Sequence, residues 1–328
     1  MKNIQADIKS GNFKQVYLLY GEEAYLKQQY KQNLVKALNP DGDTMNFNHY
    51  EGKGIDVKQL IDLCETMPFF AERRVVLLED TGFFKNKCEE LADYMKELPD
   101  YLYLVFAETE VDKRNRMYKA VKACGSIAEF IRQDEKTLMR WAAGILGKAG
   151  KKITQRDMEL LLTKTGTDMG NLRMEMEKLI SYTEGRDVVT AEDIEEICTT
   201  QTTNRIFDMV RAVTEKNQKR ALELYYDLLT LKEPPMRILF LMEKQYRQLL
   251  LAKQFAAAGL AQTEIASKLG VPGFVVRNIT TCARAYTISE LEQAVKDFVD
   301  AEESVKTGRL EDKLSVELLI IKYSSKVK

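Results

Sequence analysis

Three short runs dense in Val, Leu and Tyr constrain this chain most: "QVYLLY" (15–20), "RRVVLLED" (73–80) and "YLYLVFAE" (101–108). None alternates apolar with polar residues, so each reads as a strand buried on both faces. The segments between them have helical spacing; "KCEELADYMKEL" (87–98), for instance, sets Leu91, Tyr94, Met95 and Leu98 on one face. Strands alternating with helices imply a parallel α/β sheet. After about residue 134 the strand signals nearly vanish. "EKTLMRWAAGILGKAG" (135–150), "TQRDMELLLTKTG" and "DMGNLRMEMEKLISYTEG" each stop at a glycine, and "TAEDIEEICT" (190–199) opens with a near capping box. From about residue 204 the chain reads as longer helices broken at "KEPP" (232–235), Gly259, "GVPG" (270–273) and Gly308. A length of 328 residues exceeds one ordinary core, and three units are expected: α/β over 1–134, a small helical unit over 135–203, and a larger helical unit over 204–328.

Several function classes are disfavoured at once. Acids and bases nearly cancel to a net charge of −1, so the overall balance points to neither nucleic acid nor membrane. No apolar run approaches the length of a membrane span, and "MKNIQADIKSG" lacks the apolar centre of a signal peptide. Cys64, Cys88, Cys124, Cys198 and Cys282 are scattered without a C-x-x-C pair, which argues against a zinc module and fits reduced thiols in a cytoplasm. His49 is the only histidine, which leaves little room for imidazole relays or a serine–histidine hydrolase.

Four stretches invite a functional reading. In "YLLYGEEAYLKQQY" (17–30) an apolar run meets Gly21 and then a helical stretch, the layout of a phosphate-binding loop. With Gly21 as the first glycine, Leu26 replaces the second, Lys27 is in register, and Gln28 stands where Ser or Thr belongs. Glu22 and Glu23 would repel a triphosphate, so the stretch is either a ruined cradle or a chance glycine after a strand. "VVLLED" ends in Glu79 and Asp80, resembling a strand that holds magnesium in nucleotide-binding proteins. "ETMPFFAERR" (65–74) carries Phe69 and Phe70 behind a proline. These two phenylalanines either pack under the sheet or protrude as a small hot spot. "QTEIASKLGVPGFVVRNI" (262–279) has the spacing of a helix-turn-helix, with Arg277 and Asn278 as base readers, although Pro272 and Gly273 occupy the start of its second helix.

Taken in order, "YLLYGEEAYL", "RRVVLLED", "VDKRNRMYKAVK" (111–122), "GNLRMEMEKL" (170–179), "NRIFDMV" (204–210) and "KTGRLEDKLSVELLI" resemble the delta-subunit family of the bacterial DNA polymerase III clamp loader, in the AAA+ clamp-loader group. The resemblance covers essentially the whole chain. It implies an AAA+-like, P-loop NTPase-type α/β domain over 1–134, a helical lid over 135–203 and an all-α collar over 204–328. It implies a subunit of a DNA polymerase holoenzyme that grips and opens the sliding clamp (the beta subunit) through Met67, Pro68, Phe69 and Phe70. It places the collar among the gamma/tau ATPase subunits and delta-prime, with primer–template DNA met inside the complex. The nucleotide site of Gly21, Glu22, Glu23, Leu26, Lys27, Gln28, Glu79 and Asp80 is then degenerate: no ATP hydrolysis, no cofactor and no metal are expected. Departures from the ATP-binding subunits agree, since "KACGSIAEF" lacks an arginine finger and Arg173 in "GNLR" has no nucleotide to sense. Lys113, Arg114 and Arg116 are candidates for contact with DNA or a neighbouring subunit. A cytoplasmic setting follows. The alternatives are an active P-loop NTPase and a helix-turn-helix DNA-binding regulator.

Overall fold

The protein is described here by a computed structural model covering residues 2–199 and 202–325. Thr200 and Gln201, near the end of the expected second unit, and residues 326–328 of the third lie outside the described residues. The chain falls into two compact units that divide between Gln133 and Asp134.

The first unit runs α1 (Lys2–Ser10), β1 (Val16–Tyr20), α2 (Ala24–Leu38), β2 (Phe47–Glu51), α3 (Val57–Glu65), β3 (Arg74–Glu79), α4 (Glu89–Tyr94), β4 (Leu102–Glu108), α5 (Arg116–Cys124) and β5 (Ser126–Glu129). The strands form one sheet in the order β2-β3-β4-β1-β5, with every neighbouring pair parallel. The three apolar runs are its centre. Because side chains alternate across a strand, each run supplies both faces of the sheet at once. Leu18, Val76, Leu78, Leu104 and Phe106 point to one core, closed by Leu60 and Cys64 of α3, Leu91 of α4, and Met117 and Val121 of α5. Tyr17, Leu19, Val75, Leu77 and Val105 point to the other, closed by Ile4 of α1, Leu34 and Leu38 of α2, and Phe130. Each such side chain contributes about 1.5–3 kcal/mol of transfer free energy when fully buried. The edge strands β2 and β5 were not apparent in the sequence. β2 reads "FNHYE" and is only half covered, and β5 is four residues long.

The second unit is helical: α6 (Glu135–Lys148), α7 (Gln155–Thr165), α8 (Met169–Tyr182), α9 (Ala191–Ile197), α10 (Thr202–Thr214), α11 (Gln218–Thr230), α12 (Pro235–Ala257), α13 (Gln262–Leu269), α14 (Gly273–Ala283), α15 (Ile288–Lys306) and α16 (Asp312–Ser324). Two residue pairs missed in the sequence, Lys152–Ile153 and Val188–Val189, make a short parallel ribbon, β6 with β7. Several of the starts are fixed by capping side chains: Asp134, Thr154, Asp168 and Asn217 accept from backbone N–H groups, and Thr190 and Thr287 close reciprocal capping boxes with Asp193 and Glu290. Leu146, Leu161, Leu172, Leu179 and Ile194 centre one cluster of buried side chains. Tyr225, Met242, Tyr246, Leu291, Phe298 and Ile320 centre a second, built from α10 to α16.

Candidate functional site

In an open parallel sheet, ligands are expected beyond the carboxyl ends of the strands, which is where the β1 exit and the acids of β3 and β4 meet. The whole connection from β1 to α2 is Gly21, Glu22 and Glu23. Gly21 has φ +125°, and a Cβ there would stand 2.2 Å from the Phe130 carbonyl oxygen, so only glycine fits. The Glu23 N–H donates to that same carbonyl at 3.0 Å. Leu26, Lys27 and Gln28 already lie within α2, past the loop. Three residues cannot wrap a phosphate with successive N–H groups, and one of the three amides is held by Phe130.

The charged groups around this exit are likewise engaged with protein atoms. Lys27 Nζ donates to the Glu108 backbone carbonyl at 2.9 Å, and burial lowers the pKa of its ammonium. Glu79 at the end of β3 takes Lys31 Nζ at 2.6 Å on one oxygen and His49 Nε2 at 2.9 Å on the other. Asp80, at φ +46°, accepts from the Thr109 N–H at 2.9 Å and its hydroxyl at 2.8 Å. The Glu108 carboxylate is 3% exposed and accepts from the Thr81 hydroxyl at 2.6 Å and N–H at 3.1 Å; burial pushes its carboxyl pKa up. Glu22 is exposed, with Arg132 3.5 Å away. The cluster is built to hold strands β3 and β4 to α2. Glu108, Thr81 and Lys31 were not anticipated in the sequence, because no motif marks them.

At the amino-terminal side of β3 the arrangement is the opposite. Helix α3 ends at Glu65, and the chain then carries Met67, Phe69 and Phe70 into solvent at 75%, 60% and 95% exposure, with Pro68 half-buried. The two rings meet edge to face, with centroids 4.5 Å apart. Phe70 takes φ +48°, an uncommon conformation for a large side chain. The backbone under these side chains is tied down. Asn46, 3% exposed, accepts the Phe69 N–H on Oδ1 at 2.6 Å and donates Nδ2 to the Phe69 carbonyl at 2.8 Å. Arg74, 5% exposed, donates Nε to the Thr66 carbonyl at 2.9 Å and Nη2 to the Met67 carbonyl at 3.3 Å. The phenylalanines therefore do not pack under the sheet.

The remaining candidates sit in local networks. Lys113 pairs with Glu129 at 3.0 Å, Arg114 with Asp112 at 3.0 Å and Arg116 with Asp93 at 2.7 Å, so acids accompany each member of the basic cluster. Arg173 pairs with Glu177 one helical turn on, at 2.7 Å. In the helix-turn-helix stretch, Val276 and Ile279 of α14 are buried, Asn278 is half-buried, and Arg277 faces Glu159 of α7 at 3.4 Å. Cys64, Cys88, Cys198 and Cys282 are buried and Cys124 is exposed, all as free thiols; burial pushes Cys64 and Cys198 up to about 12. Among the described residues, no group of three or more His, Cys, Asp or Glu side chains is placed to hold a metal, and no helix is long and apolar enough to cross a membrane.

Comparison with known proteins adds the decisive observation. Residues 17–130 match the sequence profile described as DNA polymerase III, delta subunit, and residues 203–323 match that of the DNA polymerase III delta subunit, C-terminal domain. The chain belongs to the DNA polymerase III delta subunit family. It is 26% identical to the DNA polymerase III subunit delta of Bacillus subtilis (strain 168), over 97% of this chain and 95% of that one. It is 22% identical to the probable DNA polymerase III subunit delta of Aquifex aeolicus (strain VF5), over 78% and 75%. The solved Bacillus subtilis DNA clamp loader delta protein shares the fold, with a TM-score of 0.68 and 24% identity over 99% of both chains. In this member of the delta family the first profile spans both the closed β1 exit and the exposed 67–70 loop.

Proposed function

We propose that this chain is the clamp-gripping, non-hydrolysing subunit of a bacterial clamp loader. One observation carries the reading: Phe69 and Phe70 stand in solvent as a single edge-to-face unit on a hydrogen-bonded loop. Two aromatic rings held out from a fixed backbone suit insertion into an apolar pocket, where a few such residues supply most of the binding energy. The pocket belongs to the sliding clamp, and Met67 and Pro68 complete the contact. Pulling on one clamp interface through this loop opens the ring for loading on primed DNA.

The closed β1 exit supports the other half of the reading. Gly21, Lys27, Glu79 and Asp80 keep the outline of a nucleotide site, while Glu22, Glu23, Leu26 and Gln28 and the engaged charges leave no cradle. The switch therefore comes from ATP-binding partners, the gamma/tau subunits, with delta-prime completing the ring. Residues 135–203 act as a lid and 204–328 as the collar through which the subunits join. The two separate buried clusters of the helical unit support that division. Helix α16 supports the collar role, because Leu314, Leu318 and Ile321 form an exposed stripe opposite its buried Val316, Leu319 and Ile320. A helix apolar on two sides is one that has a second partner to cover it. Primer–template DNA is met inside the complex, mainly through its backbone, and the setting is the cytoplasm.

The test is co-elution of the purified chain with the purified sliding clamp in gel filtration. A stable complex formed without nucleotide is expected. Two separate peaks at micromolar concentrations would contradict the reading.

A further inference from the structure

We infer that Asn46 and Arg74 are positioning residues that preset the Phe69–Phe70 loop in its docking conformation; the inference rests on the clamp-binding reading of that loop. Both side chains are almost fully buried, yet most of their hydrogen bonds go to loop backbone rather than to the core. Burying an amide and a guanidinium is costly unless their polar atoms are satisfied, and here four loop backbone groups help to satisfy them. Asn46 grips both polar groups of Phe69, the residue at the root of the aromatic pair. Arg74 grips the carbonyls of Thr66 and Met67, where α3 ends and the loop begins. The clip is itself braced. Asn46 Nδ2 also donates to Asp43 Oδ2 at 2.5 Å, which fixes the amide with Oδ1 toward the Phe69 N–H, and Arg74 Nη1 donates to Asn48 Oδ1 at 3.1 Å.

An exposed apolar loop left to itself would sample many conformers and hide its rings against its own backbone. Holding it in one conformer removes the ordering cost that docking otherwise carries. Directly after the clipped Phe69, Phe70 stands at a positive φ with its ring 95% exposed. Arg74 opens strand β3 and Asn46 immediately precedes β2, so the loop takes its orientation from the sheet.

The experiment uses the full chain and the purified sliding clamp. Asn46→Ala is expected to speed hydrogen exchange at the Phe69 amide and to weaken clamp binding about tenfold, the equivalent of ordering one or two residues. Asn46→Ser, which keeps one hydrogen-bonding group, is expected to fall between wild type and Asn46→Ala. In a chain already carrying Phe69→Ala and Phe70→Ala, Asn46→Ala should change binding no further, a dependence that a merely structural role would not show. Clamp binding unchanged by Asn46→Ala while the Phe pair remains essential overturns the inference alone. Normal binding by the Phe69→Ala, Phe70→Ala chain overturns the docking reading and this inference with it. Should Asn46→Ala fail to fold by circular dichroism, the serine variant and the wild-type exchange rate decide. A Phe69 amide exchanging at the rate of an unprotected peptide overturns the clip.

Discussion

Phe70 is 95% exposed while Phe84 and Phe106 are fully sealed, and the same substitution separates their roles. Truncating a sealed phenylalanine to alanine costs about 3–5 kcal/mol, whereas an exposed position changes stability by about 0.5 kcal/mol or less. Residues around the β1 exit invite a different check. Equilibrium dialysis against millimolar ATP and magnesium should retain no nucleotide, because Lys27 is engaged with the Glu108 carbonyl and Asp80 with Thr109. Measurable retention would revive the NTPase alternative. Glu108 carries a pH signature. Its folded pKa is raised by burial, so its contribution is most favourable below the unfolded carboxyl range and is lost as pH rises through the folded value. Glu108→Gln, which can still accept from Thr81, should therefore be stabilised relative to wild type at pH 7. That advantage should shrink toward zero in acid, as followed by urea unfolding across pH. A constant advantage at every pH would contradict the assignment. At this scale the sequence was partly legible. The spacing of Gly21, Lys27 and the two acids stood out, but Asn46 did not, since its partner Phe69 lies 23 residues away and no local pattern links them.

The elements were read best where they are most buried. β1, β3 and β4 are continuous apolar runs because both faces of the sheet are covered, and that pattern survives in any local window. β2 escaped notice because an edge strand is half solvated and can carry Asn48, His49 and Glu51. β5 escaped because "SIAE" is held by pairing with β1, a contact invisible in four residues. Helix α4 stops at Tyr94, although Met95 is still buried beyond it, so helical spacing outlasted the helix itself. The turn between β1 and α2 offers a direct check on this layer. Gly21→Ala should destabilise the protein by about 2 kcal/mol or more, since it adds a Cβ against the Phe130 carbonyl at a φ that suits only glycine. Chemical denaturation would measure it, and a loss below about 0.5 kcal/mol would mean that the turn relaxes freely.

For the whole molecule, the family profiles fix kinship, and two of the exposed apolar features among the described residues are proposed to meet two different partners. In that proposal the exposed Phe69–Phe70 loop would meet the clamp, and the exposed Leu314–Leu318–Ile321 stripe of α16 would meet neighbouring subunits. These roles should separate cleanly. Leu314→Lys with Leu318→Lys should leave clamp binding and melting temperature nearly unchanged while abolishing assembly with the ATPase subunits in gel filtration. Full assembly by that variant would remove the stripe from the collar interface. The most direct test of the central claim is a clamp-binding titration of Phe69→Ala with Phe70→Ala alongside its thermal melt. At least a hundredfold loss of affinity is expected, in keeping with two aromatic hot-spot residues at about 2 kcal/mol each, with a melting temperature within a few degrees of wild type. Retained affinity, or a chain that no longer folds, would contradict it.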